Sequence, residues 1–195
     1  MLPDALEPLI ESARLGDESA CAALYHHLVG YVYRLAYGLL LDRMDTEEVV
    51  QDSFAYAFQN LHQYDSSRSA FRTWLYTITV SRCRNKRRRK WLPTQSITQE
   101  LDTLISRDSR PEHATTVHLS RRVIEEALYH LSPRLREAVV LRYFDGLSYR
   151  EMSEILGCPP KTAESRVRLA QEALFKLLAA ERETLLGGFA DDVSH

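Results

Sequence analysis

Apolar residues recur at three- and four-residue spacing through nearly all of this sequence, and alternating runs joined by hairpin turns are absent. That periodicity restricts the chain to packed helices, because a stripe at 3.6-residue spacing shares one face only when the backbone is helical. Leu2, Leu6, Leu9, Ile10 and Ala13 predict a first amphipathic helix, stopped near Gly16. Leu24, Leu28, Val32, Leu35 and Leu39 mark a second over about residues 17–41, and the pattern predicts two more over about 46–62 and 70–90. Between residues 92 and 119 it lapses, and Pro93, Pro111 and many Ser, Thr, Asp and Gln read as a flexible linker. Helical spacing resumes near Ser120, and Ser132-Pro133 places an N-cap and a first-turn proline before Leu135, Ala138, Val139 and Leu141. The expected fold is all-α: two small helical domains, residues 1–91 and 120–182, joined by the linker 92–119 and followed by an acidic tail at 183–195.

The net charge of −2 says less than its distribution. Residues 82 to 90 hold Arg82, Arg84, Lys86, Arg87, Arg88, Arg89 and Lys90 and no acid, a dense block suited to a polyanion. Cys21, Cys83 and Cys158 are far apart and odd in number, so neither a disulfide framework nor a Cys-x-x-Cys metal site is readable. His26 and His27 are adjacent, point about 100° apart on a helix, and share no ligand face. No metal or cofactor is expected. Without a basic-then-apolar leader or an apolar run of spanning length, the chain reads as cytoplasmic, with no membrane insertion.

The sharpest motif lies near the C-terminus. Asp145-Gly146 signals a turn, Ser148-Tyr149-Arg150-Glu151 fits a capping box, and Met152, Ile155 and Leu156 give a short helix its buried side. Gly157 supplies a left-handed stop, and a second helix begins near Lys161. A short helix, a glycine turn and a longer helix make a helix-turn-helix. Projected at 100° per residue, Ala163, Val167, Ala170 and Leu174 gather on one side. Lys161, Thr162, Glu164, Ser165 and Arg168 gather opposite, with the donors that groove reading needs. Arg166 falls beside the buried side, where a structural ion pair and a DNA contact are both open.

The fourth helix starts with Phe71, Trp74, Leu75 and Ile78 at core spacing and ends in the basic block. Dipole compensation calls for one or two cations, so seven in nine residues favour phosphates, with Arg84, Arg87 and Arg88 as candidates. On the third helix Val50, Phe54, Ala57, Phe58 and Leu61 share a core face. Asp45, Glu48 and Asp52 share another, flanked by Gln51, as dipole partners or as an acidic docking surface.

These motifs resemble the extracytoplasmic-function group of the sigma-70 family. Asp45-Thr-Glu-Glu-Val-Val-Gln-Asp-Ser-Phe54 is similar to that family's Asp-Ala-Glu-Asp-Leu-Val-Gln-Glu-x-Phe signature, and Phe71-Arg-Thr-Trp-Leu-Tyr-Thr-Ile78 to its Phe-x-x-Trp-Leu-x-x-Ile stretch. Gly146-Leu-Ser-Tyr-Arg-Glu-Met-Ser-Glu-Ile-Leu-Gly157 is similar to its Gly-Leu-Ser-Tyr-x-Glu-Ile-Ala-x-Ile-Leu-Gly. The resemblance implies a sigma factor with no catalysis of its own. Its partners would be RNA polymerase core, promoter DNA and an anti-sigma factor. Asp45, Glu48, Gln51 and Asp52 would dock on the clamp helices of the largest polymerase subunit. The basic helix, through Ser81, Arg84, Asn85, Arg87 and Arg88, would contact the minus-ten element. Ser66 and Arg68, in the loop from Tyr64 to Ala70, would hold an unstacked base there. Lys161, Thr162, Ser165, Arg166 and Arg168 would read the minus-thirty-five element. Ser81 stands where the family usually has Asn, Asn85 where it has Asp, and Glu164 and Leu169 where basic residues are common.

Two rival readings use the same residues. A stand-alone helix-turn-helix regulator with an N-terminal sensor leaves the basic helix unexplained. A DNA-processing enzyme of the resolvase kind needs a convergent catalytic cluster, which the sequence lacks.

Overall fold

The computed structural model describes residues 6–91 and 116–191, and every regular element among them is helical. The expected linker falls mostly on residues 92–115, outside the described residues. Helix α1 (Glu7–Arg14) ends at Leu15, and Gly16 turns the chain at φ +88°. Asp17 then caps α2 (Glu18–Leu40), accepting from the amides of Ser19 at 2.8 Å and Ala20 at 3.3 Å. Helix α3 (Arg43–Gln59) begins three residues before its apolar stripe suggests, because Asp42 accepts from Asp45 N at 2.9 Å and caps it there. A 3-10 turn (Leu61–Gln63) and a loop lead to α4 (Phe71–Trp91).

Helix α5 (Thr116–His130) starts before the expected Ser120. Pro133 opens α6 (Pro133–Phe144) as expected, though the Ser132 side chain makes no capping bond. The capping box of α7 (Tyr149–Leu156) is present in both directions, and Gly157 closes the helix at φ +65°. Helix α8 (Pro160–Asp191) runs beyond Ala180 and through most of the segment read as an acidic tail.

In the first domain α2 packs against α1, α3 and α4, and α3 lies along α4. In the second, α5, α6 and α7 pack on α8, around Leu141, Leu147, Met152, Ala163 and Val167. Each fully buried Leu or Met contributes about 1.5–3 kcal/mol relative to exposure. The domains also close on each other: α6 lies on α2, α7 lies on α4, and the buried apolar residues of both halves form one continuous cluster. Polar groups run along this seam. Arg136 Nη1 donates to the Leu39 carbonyl at 3.2 Å, near the C-terminal end of α2, and Tyr37 OH donates to Glu125 Oε1 at 2.9 Å.

Candidate nucleic-acid interface

The seven cations of α4 do not form one surface. At 100° per residue, Lys86 and Lys90 turn toward α3, Cys83 toward the core, Arg84 and Arg87 toward the second domain, and the rest outward. Lys86 Nζ lies 2.5 Å from Glu48 Oε2 and 3.4 Å from Asp45 Oδ1, and Lys90 pairs with Asp45 and Asp42. Burial works against the Lys86 charge, yet Glu48 and Asp45 together hold its pKa above the ordinary value.

This network revises the acidic face. Glu48, Gln51 and Asp52 are exposed, whereas Asp45 is only 9% exposed and roofed by two lysines. A helix projection cannot see this, since the lysines come from 40-odd residues along the chain. Asp45 is held inside the domain, so the reachable acids are Glu48 and Asp52.

Arg84 and Arg87 reach Glu137 on α6. Arg84 donates from Nε at 3.2 Å to both carboxylate oxygens and from Nη2 at 2.8 Å to Oε2. Arg87 Nη2 lies 2.5 Å from Oε1. The Glu137 side chain is 3% exposed, so both guanidiniums meet an almost fully desolvated carboxylate, and its hydrogen bonds raise the Arg84 pKa. From the sequence these two arginines are expected at DNA phosphates. Here an acid from the other domain occupies both.

What remains outward on α4 is an arc of Thr77, Ser81, Asn85 and Arg88, all exposed, edged by Arg82 and Arg89. Arg82 lies over the Tyr56 ring at 4.7 Å and Arg89 is exposed; together with Glu48, Asp52 and Asn85 they line a shallow polar cleft between α3 and α4. Sequence reasoning does not single out Arg82 or Arg89 within the basic block. Only the partner-taking of the other cations separates them from it.

Trp74, half-buried, packs against Tyr64 (5.5 Å) and Phe71 (5.6 Å), next to the loop carrying Ser66 and Arg68. Asp65 orders that loop by accepting from Ser67 N at 2.9 Å, which leaves Ser66 and Arg68 exposed.

On α8 the expected faces form. Ala163, Val167 and Ala170 are buried, while Lys161 and Arg168 are exposed and Thr162 and Ser165 half-exposed. Lys161 pairs with Glu164 (2.9 Å) and Arg168 with Glu172 (2.6 Å), surface pairs worth about 0–1 kcal/mol that a phosphate or base can replace. Arg166 is half-buried, with Nη1 3.5 Å from Cys158 Sγ, which ties it to the helix-turn-helix elbow. No helix of the described residues is long and apolar enough to cross a membrane.

The family model for Sigma-70 region 2 matches residues 24–92, and that for Sigma-70, region 4 matches residues 121–174. The ECF RNA polymerase sigma factor SigW of Bacillus subtilis is 30% identical over 177 residues, spanning 87% of this chain and 94% of that protein. The ECF RNA polymerase sigma-E factor of Escherichia coli K12 is 32% identical over 181 residues, spanning 85% and 90%. Among solved structures, CnrH in complex with the cytosolic domain of CnrY superposes at a TM-score of 0.70 with 25% identity, covering 91% of this chain and 99% of that one.

Proposed function

The chain belongs to the sigma-70 family, as a sigma factor of the extracytoplasmic-function group that directs promoter-specific transcription, and from that premise we propose how it divides its surfaces among its partners. The region 2 match over residues 24–92 removes the stand-alone regulator, which has no use for a polymerase-binding domain.

Glu48, Gln51 and Asp52 dock on the clamp helices of the largest polymerase subunit, while Asp45 holds Lys86 and Lys90 beneath them. The outward arc of α4, with Ser81, Arg82, Asn85, Arg88 and Arg89, meets the minus-ten element, aided by Ser66 and Arg68 in the adjoining loop. Lys161, Thr162, Ser165 and Arg168 meet the minus-thirty-five element. The domains correspond to residues 1–91 and 120–182. The protein supplies position and no chemistry of its own, acts in the cytoplasm, and is restrained by an anti-sigma factor; its structural relative CnrH likewise holds a second protein, the cytosolic domain of CnrY.

The observation that carries the minus-ten assignment is the sorting of the α4 cations, which leaves Arg88 and Arg89 facing outward with no acid partner among the described residues. Each phosphate that a variant no longer neutralises lowers the slope of log K against log salt by about 0.9. Arg88→Ala with Arg89→Ala should therefore flatten holoenzyme–promoter binding by roughly one to two units. An unchanged slope removes α4 from the DNA interface.

A further inference from the structure

We propose that Glu137 is an intramolecular stand-in for DNA phosphate: it latches the second domain over α4, so that the free sigma factor is closed and Arg84 and Arg87 become available only when the domains part. The inference rests on the assignment of α4 to DNA.

Three observations carry it. First, the latch has the chemistry of a phosphate site. One carboxylate, buried at the seam, takes three hydrogen bonds from Arg84 and one from Arg87, the bidentate geometry that guanidiniums offer to carboxylates and phosphates alike. Second, α7, the first helix of the helix-turn-helix, packs directly on α4, and α6 lies on α2. A duplex cannot approach that flank of α4 while the second domain sits there. The reading face of α8 stays exposed, so it is the α4 flank that closure withholds.

Third, the seam is built to separate. Arg87 Nη1 and Arg136 Nε are buried there without a hydrogen bond among the described residues, so water admitted on opening satisfies groups that closure leaves wanting. At its closest approach to Val140, α2 presents Gly38 and so has no side chain interlocked with α6 at that point. Twenty-four residues separate Trp91 from Thr116, a length that when extended reaches on the order of 80 Å, ample for the domains to occupy two promoter elements.

The close approach at Gly38 also supplies the test. A Cβ on Gly38 would stand 3.7 Å from Val140 Cβ, inside the range of about 3.5–4.5 Å that a disulfide requires. The full chain carrying Gly38→Cys and Val140→Cys is oxidised, its helicity is checked by circular dichroism, and it is added to core polymerase on a promoter, with oxidised wild-type chain as control. Promoter-directed transcription should fall at least about tenfold and return on reduction; wild-type output from the cross-linked chain overturns the proposal. Separately, Glu137→Gln should raise the affinity of the free full chain for a single-stranded promoter oligonucleotide at least about tenfold, and adding Arg84→Ala and Arg87→Ala should abolish the gain. Unchanged affinity in a folded Glu137→Gln chain overturns the role of Glu137. The assignment of α4 to DNA is judged independently by the Arg88 and Arg89 salt slope. A flattened slope together with an inert cross-link discards the latch alone.

Discussion

Gly38 and Val140 meet across the domain seam so closely that a Cβ on Gly38 would stand 3.0 Å from Val140 Cγ1 and 3.1 Å from Cγ2. Gly38 lies in the last turn of α2, where a glycine costs at most the roughly 1 kcal/mol against alanine of a helix interior. Here the missing methyl is what lets α6 lie on α2. Gly38→Leu should leave both domains folded and weaken their association by about 1–3 kcal/mol, the usual cost of overpacking. Small-angle scattering of the free chain should then give a larger radius of gyration. An unchanged radius would mean that Val140 can turn aside and that this approach does not govern closure.

The two acids that open the docking helix should behave differently when replaced. Glu48→Lys reverses an exposed charge and breaks its pair with Lys86, so core-polymerase binding should fall about tenfold or more while stability falls by less than for Asp45→Ala. Asp45→Ala leaves Lys86 and Lys90 facing each other without their shared acid, and should cost about 1 kcal/mol or more of stability. Pull-down of core enzyme and thermal melts of each variant decide this. Equal effects of both substitutions on both readouts would contradict the assignment of Asp45 to the interior.

Upstream reading should separate in the same way on α8. Arg168→Ala removes an exposed guanidinium and should relax preference at one or two upstream base pairs, by about 1–3 kcal/mol of discrimination. Lys161→Ala should weaken binding evenly across sequences. Arg166→Ala should lower stability and leave the selected motif intact, because Arg166 is half-buried against Cys158. Selection from randomised upstream DNA with each variant reads all three. A motif altered by Arg166→Ala and untouched by Arg168→Ala would place the recognition face one register away.

Closure should also depend on pH. Burial raises the Asp145 pKa above the ordinary 3.8, opposed by the Tyr76 hydroxyl and by Arg72 and Arg34 facing the same pocket. A carboxylic acid whose pKa is higher in the closed form favours closure when protonated. That contribution is complete below pH 3.8 and is lost as pH rises through the closed-form value. The distance between dyes on the two domains should therefore lengthen as pH rises above 3.8 and through the closed-form value. Asp145→Asn should stay closed across that range. A wild-type distance that shortens as pH rises would reverse the sign and remove Asp145 as its cause.

Much of this protein is determined locally and is legible in residues close together in the chain. The caps at Asp17 and Ser148, the stop at Gly157 and the apolar stripes of Leu24–Leu39 and Ala163–Ala170 depend on neighbours within a turn or two, so helices, faces and the helix-turn-helix follow from spacing alone. The partners of charged side chains do not. Asp45 lies 41 and 45 residues from Lys86 and Lys90, and Glu137 lies 53 and 50 from Arg84 and Arg87. Only the approach of α3 to α4, and of the second domain to α4, brings these groups together. The basic block is visible as a dense run of seven like charges, but a helix distributes consecutive residues around its whole circumference. Tertiary packing then decided which cations meet an acid from within the chain and which are left for another molecule.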